Sequence, residues 1–367
     1  MKQLLKSVLL LFVYAVLFLS CKQTPSGTSG AQEIRSNCKI FAAVDGLRLR
    51  ASAGAEGAEI TKISLGEELK DLNECSTFTT KVKLNGHWYE EPWIFVETQG
   101  GQKGWVYAAA VSFKGDTPAA STRGLIEKRA IALFGQTHFK EILSYQSAYL
   151  NAKNEASLRA VMLQGDQLRS KLEQVLLTKV AISEETREMP PLDWLDVLLP
   201  GYQASLVAEG TAYRLFKTFI VWSEKSKNTI GAADNQYFEY SLAYYADSIE
   251  YFFGKNYMLL TDVEGASLLG EGKHLELLQN ADALLQQSEV FKTEILQYKT
   301  ELMDDIIGVK GATYWPPKEK ILQEITNIEK SGLRLLDQAD LIALSTRKKQ
   351  FENAAANGIL VNQRAGE

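Results

Sequence analysis

Histidine, cysteine and proline are scarce in this chain of 367 residues, which has three histidines, three cysteines and eight prolines. No cysteine follows Cys75, so the long C-terminal region has no residue that could act as a thiol nucleophile. The chain also lacks a Gly-x-Ser-x-Gly elbow and a His-Glu-x-x-His zinc motif. These absences exclude thiol peptidases in that region, serine hydrolases of the elbow type and zinc peptidases of the His-Glu-x-x-His type.

Long runs of basic residues are missing as well. The chain has 40 Lys and Arg against 45 Asp and Glu, a net charge of -5. A nucleic-acid partner is therefore not expected, because such proteins concentrate positive charge on one face. The apolar fraction of 46% is ordinary for a globular chain.

No apolar run reaches the roughly 20 residues that a membrane span needs. Residues 8–19 form a run of about a dozen after Lys2 and Lys6, which is typical of a secretory signal. Ser20-Cys21 resembles a bacterial lipoprotein cleavage box, although Phe18 and Leu19 depart from its common pattern. The resemblance implies that residues 1–20 are a signal peptide and that Cys21 carries lipid. The alternative is an ordinary signal peptide with a chance cysteine.

The predicted location follows from that start. We expect an exported protein of the bacterial cell envelope, anchored to a membrane through its N-terminal lipid and facing the periplasm or the surface. Residues 21–36 are rich in Ser, Thr, Gly and Gln and are predicted to be a flexible tether. In an exported protein Cys38 and Cys75 favour a disulfide, and the alternative is two buried thiols.

Residues 37–115 have the pattern of short strands. Leu47 and Leu49 alternate with Arg48 and Arg50, and Asn85-Gly86 is a strong signal for a tight hairpin turn. Five or more strands in about 75 residues predict a small barrel.

Several elements of this region occur in the order found in bacterial SH3-like (SH3b) domains. They are Leu47 with Arg50, a strand followed by Gly66, Trp93 with Val96, and Gly104-Trp105-Val106. The region resembles that family over about 75 of 367 residues. Two departures are Arg48, where Asn is usual, and a longer connection over residues 73–92.

The resemblance implies binding of a cell-wall peptide, peptidoglycan or a protein partner; a purely structural role is the alternative. Trp93 and Trp105 are expected in the small core, because they supply apolar area. The predicted binding aromatics are Trp88, Tyr89 and Tyr107, which lie near turns or strand ends.

Residues 116–367 are predicted to form a larger, all-α domain. Apolar residues recur at helical spacing in two series: Phe291, Ile295, Tyr298, Leu302 and Ile306, then Ile321, Ile325, Ile328, Leu335 and Ile342. The aromatic stretch 235–260 is interpreted as a central helix packed from several sides. The alternative is an aromatic groove for a lipid, glycan or protein.

Two sequence patterns contain a histidine, but neither predicts a functional site. His138 and Glu141 lie three apart on a predicted helix, too few ligands for a zinc site. Gly272 and His274 resemble part of the Gly-x-His-x-x-Glu motif of imelysin-like envelope proteins. Glu276 comes one residue early and would lie on another helical face, so we interpret that match as chance.

The sequence therefore predicts a non-catalytic lipoprotein that binds or scaffolds at the envelope, with no metal site and no cofactor. One alternative is a wall-active hydrolase that uses carboxylates of the helical region. It would need a cleft with two carboxylates, one of them with a raised pKa. The other alternative is a helical carrier of a small apolar ligand.

Overall fold

The computed structural model describes residues 39–114, 120–207, 209–250, 254–260, 265–308 and 313–361, all within one compact unit. An antiparallel sheet comes first and a larger, mainly helical region follows, in agreement with the predicted order of β and α structure. The predicted signal peptide (1–20) and tether (21–36) lie outside the described residues. Among the described helices, none has both the length and the apolar character required to cross a bilayer.

Seven strands form the first sheet, in the spatial order β3-β2-β6-β5-β4-β1-β7. Each neighbouring pair is antiparallel. The strands are β1 (Lys39–Ala42), β2 (Leu47–Arg50), β3 (Glu59–Ile63), β4 (Glu68–Leu84), β5 (His87–Glu97), β6 (Lys103–Tyr107) and β7 (Val111–Lys114).

Local sequence explains where this sheet turns sharply and where two of its strands approach closely. Asn85 and Gly86 both have positive φ angles, 47° and 77°, as the predicted two-residue turn between β4 and β5 requires. Gly104 allows β6 to approach β2, since a Cβ there would lie 2.6 Å from the carbonyl oxygen of Arg50. Trp93 is buried as predicted, and its indole nitrogen donates to the Thr80 hydroxyl at 2.8 Å.

Nine helices are described in the second region. The first, α1, is interrupted at Gly135, where φ is 79°. The helices are α1 (Ala120–Asn151), α2 (Glu155–Lys179), α3 (Leu195–Leu198), α4 (Phe219–Ser226), α5 (Ala233–Tyr244), α6 (Lys273–Gln287), α7 (Lys292–Ile307), α8 (Lys318–Lys330) and α9 (Gln338–Glu352).

The prediction of an all-α second region is wrong in detail. Two antiparallel hairpins interrupt the helices, and they are formed by β8 (Tyr202–Val207) with β9 (Ala212–Lys217) and β10 (Met258–Leu260) with β11 (Gly265–Ser267). In β9 the buried residues Tyr213 and Leu215 alternate with the more exposed Arg214 and Phe216. This period of two distinguishes a half-buried strand from a helix.

The first apolar series is buried throughout α7, as its spacing predicts. The prediction for the second series is confirmed at Ile321, Ile325 and Ile328, which are all buried in α8. The prediction is wrong at Ile342, which is exposed. The reason is a break in the helix, since α8 ends at Lys330 and α9 begins at Gln338. A helical period cannot continue across a break, so α9 starts its own register.

The sheet is joined to the helical region through Arg129 of α1. Its Nε donates to Glu91 of β5 at 2.8 Å, and its Nη2 donates to the carbonyl of Ala108 at 3.0 Å. Its guanidinium also lies 5.8 Å from the ring centre of Phe113 and 6.0 Å from that of Trp194. The side chains of Arg129 and Glu91 are only 12% and 13% exposed. This ion pair is therefore shielded from solvent, where loss of one partner is costly.

We expect Arg129→Met to lower the free energy of unfolding by about 3 kcal/mol, because Glu91 would remain buried without its partner. The measurement is urea unfolding followed by circular dichroism. Combining Arg129→Met with Glu91→Leu should recover most of the loss. Lys320→Met is the matched control, since it removes an exposed ion pair with Glu271 and should cost less than about 1 kcal/mol. Equal losses for Arg129→Met and Lys320→Met would contradict the assignment.

Candidate functional site

A cavity of about 580 Å³ lies where the β4–β5 hairpin faces the helical region. Its wall includes residues of β5 between His87 and Glu91, residues of α1 between Arg129 and Leu133, and much of segment 179–194. The volume falls within the roughly 300–1,000 Å³ that small-molecule and peptide side-chain pockets occupy. We call it the junction cavity.

Two of the three predicted binding aromatics, Trp88 and Tyr89, line the junction cavity. As neighbours on one strand they point to opposite faces of the sheet. Trp88 is 64% exposed, with the Lys81 ammonium 5.2 Å from its ring centre. Tyr89 is half-buried beside His87, and burial raises the pKa of its hydroxyl. Trp88 is thus free for solvent or a ligand, whereas Tyr89 is part of the inner wall.

The third predicted aromatic, Tyr107, occupies a different place. It is 5% exposed and packs against Trp93, with ring centres 5.3 Å apart. Its hydroxyl donates to the carbonyl of Thr80 at 2.6 Å and accepts from the Glu91 amide at 3.2 Å. Burial raises the pKa of this hydroxyl to about 12. Tyr107 thus holds β4 and β5 together and is not among the residues that line the junction cavity.

Segment 179–194 connects α2 to α3 and is bound to the tip of the hairpin. The Thr186 hydroxyl donates to the Asn85 carbonyl at 3.2 Å, and Nε2 of His87 lies 3.1 Å from the Glu188 carbonyl. The oxygen in both contacts belongs to a backbone carbonyl. The contacts therefore fix the path of the main chain rather than the position of one side chain. The helical region consequently supplies a wall of the junction cavity.

Four charged side chains line the junction cavity. Arg129 and Glu91 form the shielded ion pair described above, and the Lys179 ammonium donates to the Leu133 carbonyl at 2.7 Å. Asp193 is exposed, and within the described part of the chain its carboxylate has neither a hydrogen-bond donor nor an ion-pair partner. It is therefore the lining charge that is left for a ligand.

Asp196 lies one helical turn after Asp193 and is largely buried. Burial, and to a smaller extent the charge of Asp193, raise the pKa of its carboxyl group to about 7. The Ala204 amide donates to it at 3.0 Å, which partly offsets both effects. Asp196 is not among the residues that line the junction cavity. Its hydrogen bond from the Ala204 amide makes it a titrating group of the fold.

The predicted disulfide concerns one described residue and one outside the described ranges. Cys75 is half-buried in β4, and burial raises the pKa of its thiol. Cys38 and the predicted lipid-bearing Cys21 lie outside the described residues. The pairing of Cys38 with Cys75 and the lipidation of Cys21 stay predictions.

The predicted pair His138 and Glu141 forms one turn of α1, with Nδ1 of the histidine 3.2 Å from the carboxylate. The Lys171 ammonium donates to the same carboxylate at 2.8 Å. Lys171 first, and His138 second, hold the pKa of Glu141 below its ordinary value. Across the described ranges no three His, Cys, Asp or Glu side chains come together as metal ligands.

His274 is fully buried, whereas Glu276 forms an exposed ion pair with Lys273 at 3.1 Å. The two lie on different faces of α6, as their spacing predicts. Nε2 of His274 lies 2.8 Å from a carboxylate oxygen of Asp305, and the Ser267 hydroxyl donates to the same oxygen at 2.5 Å. The carboxylate thus stands between serine and histidine, so the imidazole is not placed to take the hydroxyl proton.

A second cleft, of about 310 Å³, opens among α2, β9 and α7. It holds three glutamates, each paired with a cation. Burial alone would raise the pKa of Glu250, but Lys217 and Arg169 outweigh it and hold that pKa below its ordinary value. A group shifted in this direction is not a proton donor near neutral pH. The pairs are Arg214–Glu173 at 3.3 Å, Arg169–Glu250 at 2.5 Å and Lys255–Glu301 at 2.5 Å.

The interpretation of stretch 235–260 as one central helix is confirmed only up to Tyr244, where α5 ends, because Met258–Leu260 belong to strand β10. Helix α5 itself is packed on several sides. Tyr237 stacks on Phe291 with ring centres 4.3 Å apart, and Tyr244 stacks on Tyr298 at the same distance. The space enclosed beside Phe291 amounts to only about 10 Å³. That is too small for an organic ligand. Three further aromatics of the stretch lie outside the described residues: Tyr251, Phe252 and Phe253.

Sequence reasoning missed the residues that the helical region brings to the junction cavity. Trp194, Asp193 and the pair Pro190-Pro191 all line it. The signal was present, since residues 187–191 mark a break between helices and a tryptophan follows shortly after. That signal predicts a loop but does not say which surface the loop covers.

No protein-family model matches the chain, and neither a search of curated proteins nor a search of solved structures finds a match.

The raised pKa of Asp196 predicts a pH dependence of stability. The folded state keeps this proton up to about pH 7, whereas an ordinary aspartate loses it near pH 3.8. The folded state therefore binds more protons between these values, and its contribution to stability falls as pH rises through that window. We expect Asp196→Asn to remove about 2–4 kcal/mol of this fall. The test compares urea unfolding at pH 4.5 and 7.5. Equal pH slopes for the native protein and Asp196→Asn would refute it, with Asp247→Asn as an exposed control.

Proposed function

We propose that this protein is a non-catalytic binding protein whose ligand is a peptide or a peptide-containing polymer of the cell envelope. The observation that carries the proposal is the junction cavity, with the exposed ring of Trp88 at its edge. A large aromatic ring that a folded protein leaves in solvent beside a cavity is a common anchor for a partner.

The chemistry of the wall favours a peptide over a purely apolar molecule. Apolar groups such as Leu133, Ile182 and Leu192 alternate with the polar and charged groups of Glu91 and Asp193. Ligand pockets of this kind bury apolar parts and orient them with a few polar contacts. Peptides in extended form present both kinds of group at regular intervals.

Within this proposal the seven-stranded sheet is an SH3-like barrel. The residues that resemble the SH3b family support it, and so do two register irregularities of β4 against β5, between Asp71 and Glu74 and between Cys75 and Thr79. Irregularities of this type bend and twist a strand, as barrel closure requires. The domain limits at residues 37–115 and 116–367 belong to the same proposal.

The proposed location is the bacterial cell envelope, with the chain exported and held to a membrane by lipid on Cys21. The support is the short apolar run followed by Ser20-Cys21. A tether over residues 21–36 would leave the junction cavity free to reach a wall polymer or an envelope protein.

A second candidate is a wall-active hydrolase, and one observation favours it. Asp196 combines a pKa of about 7 with a second carboxylate, Asp193, one helical turn away. A carboxyl group that is protonated at neutral pH is what general acid catalysis needs. Asp196 is not among the residues that line the junction cavity, which counts against contact with a substrate there, so binding is the leading proposal. For the apolar carrier, the space beside Phe291 in the described part of the helical interior is about 10 Å³ and gives no support.

The test is co-sedimentation of residues 22–367 with purified peptidoglycan. We expect retention of the native protein and about tenfold weaker retention of Trp88→Ala, because an anchor ring contributes about 1–2 kcal/mol. Phe78→Ala is the matched control, since Phe78 is a 47% exposed aromatic of the same hairpin outside the junction cavity.

No retention of the native protein on peptidoglycan would contradict the wall-binding proposal. Release of soluble wall fragments during the incubation would make the hydrolase the leading function. Tyr107→Ala is unsuitable here, because that residue holds the sheet together.

A further inference from the structure

The charged side chains that line the junction cavity differ in whether they already have partners within the protein. Both cations are already used by the protein: Arg129 binds Glu91 and the Ala108 carbonyl, and Lys179 binds the Leu133 carbonyl. An anionic ligand would have to displace these contacts. The carboxylate of Glu91, which also lines the cavity, would repel an incoming anion.

Asp193 differs from the other lining charges. Its carboxylate is exposed and, among the described residues, unpaired. Burial is the main cause of the raised pKa values of Asp196 and Tyr213, and the charge of Asp193 adds to both. An unpaired carboxylate disfavours further negative charge nearby and favours positive charge.

Aromatic residues also border the cavity, although the side chains of Trp88 and Tyr89 point to opposite faces of the sheet. Trp88, Tyr89 and Trp194 all line the junction cavity. The faces of such rings attract ammonium and guanidinium groups. The protein itself shows this preference twice at these residues, with Lys81 5.2 Å from the ring centre of Trp88 and Arg129 6.0 Å from that of Trp194.

We infer that the junction cavity selects a peptide that carries a cationic side chain, which pairs with Asp193 while apolar neighbours contact the aromatic wall. This inference rests on the proposed binding function and adds the charge of the ligand to it. A metal ion does not fit the same role, because one free carboxylate is too few ligands.

The experiment uses the soluble chain of residues 22–367 and three blocked peptides that differ only at their central residue: lysine, norleucine or glutamate. The peptides contain no aromatic residue, so the tryptophan fluorescence of the protein reports binding. We expect the lysine peptide to bind about three- to tenfold more tightly than the norleucine peptide and the glutamate peptide to bind most weakly. The advantage of lysine should shrink at high salt.

Asp193→Asn removes the charge and keeps the shape of the side chain. It should abolish the preference for lysine over norleucine. Asp247→Asn is the matched control, because Asp247 is an exposed aspartate outside both cavities and should keep the full preference.

Equal affinities of the native protein for lysine and norleucine, or an unchanged preference in Asp193→Asn, would overturn the inference and leave the proposed function intact. Failure of all three peptides to bind, together with no retention on peptidoglycan, would overturn the proposed function as well.

Discussion

The buried ion pair of Arg129 and Glu91 is the interaction on which the arrangement of this protein depends. Arg129 comes from the first helix and Glu91 from the sheet, and the same guanidinium also binds the Ala108 carbonyl beyond β6. A planar guanidinium can serve several partners at once in fixed directions, which an ammonium cannot do equally well. Arg129 thus fixes the position of the first helix against the sheet, and the contacts of segment 179–194 with the hairpin tip add to it.

The position of the helical region against the sheet creates the junction cavity. The hairpin alone would present Tyr89 and His87 to solvent, and segment 179–194 alone would be a loop between two helices. Their contacts through the Asn85 and Glu188 carbonyls bring the two walls together. A ligand bound there would touch both regions at once. Under the proposed function the helical region is part of the binding site, and the proposed SH3-like sheet supplies only one of its walls.

Elsewhere the polar chemistry of the helical region is used to hold the fold. The imidazole of His274 and the hydroxyl of Ser267 both bind Asp305, and the glutamates of the second cleft are each paired with a cation. Buried polar groups need such partners, because an unpaired one costs free energy. These clusters contain residue types that also serve in catalysis, but their geometry is that of structural networks.

By itself the sequence determined the order of β and α structure, the hairpin turn at Asn85-Gly86, the burial of Trp93 and the helical stripe of α7. Each depends on local conformation or on a short period, which neighbouring residues set together. Tertiary structure alone decided the opposite roles of Trp88 and Tyr107, the contact of Arg129 with Glu91 and the presence of Asp193 in the cavity. The physical reason is distance along the chain: Arg129 and Glu91 are 38 residues apart, and their pairing depends on how two regions pack. The failed prediction at Ile342 has the same origin, because a short break between helices resets a period that the sequence shows as continuous.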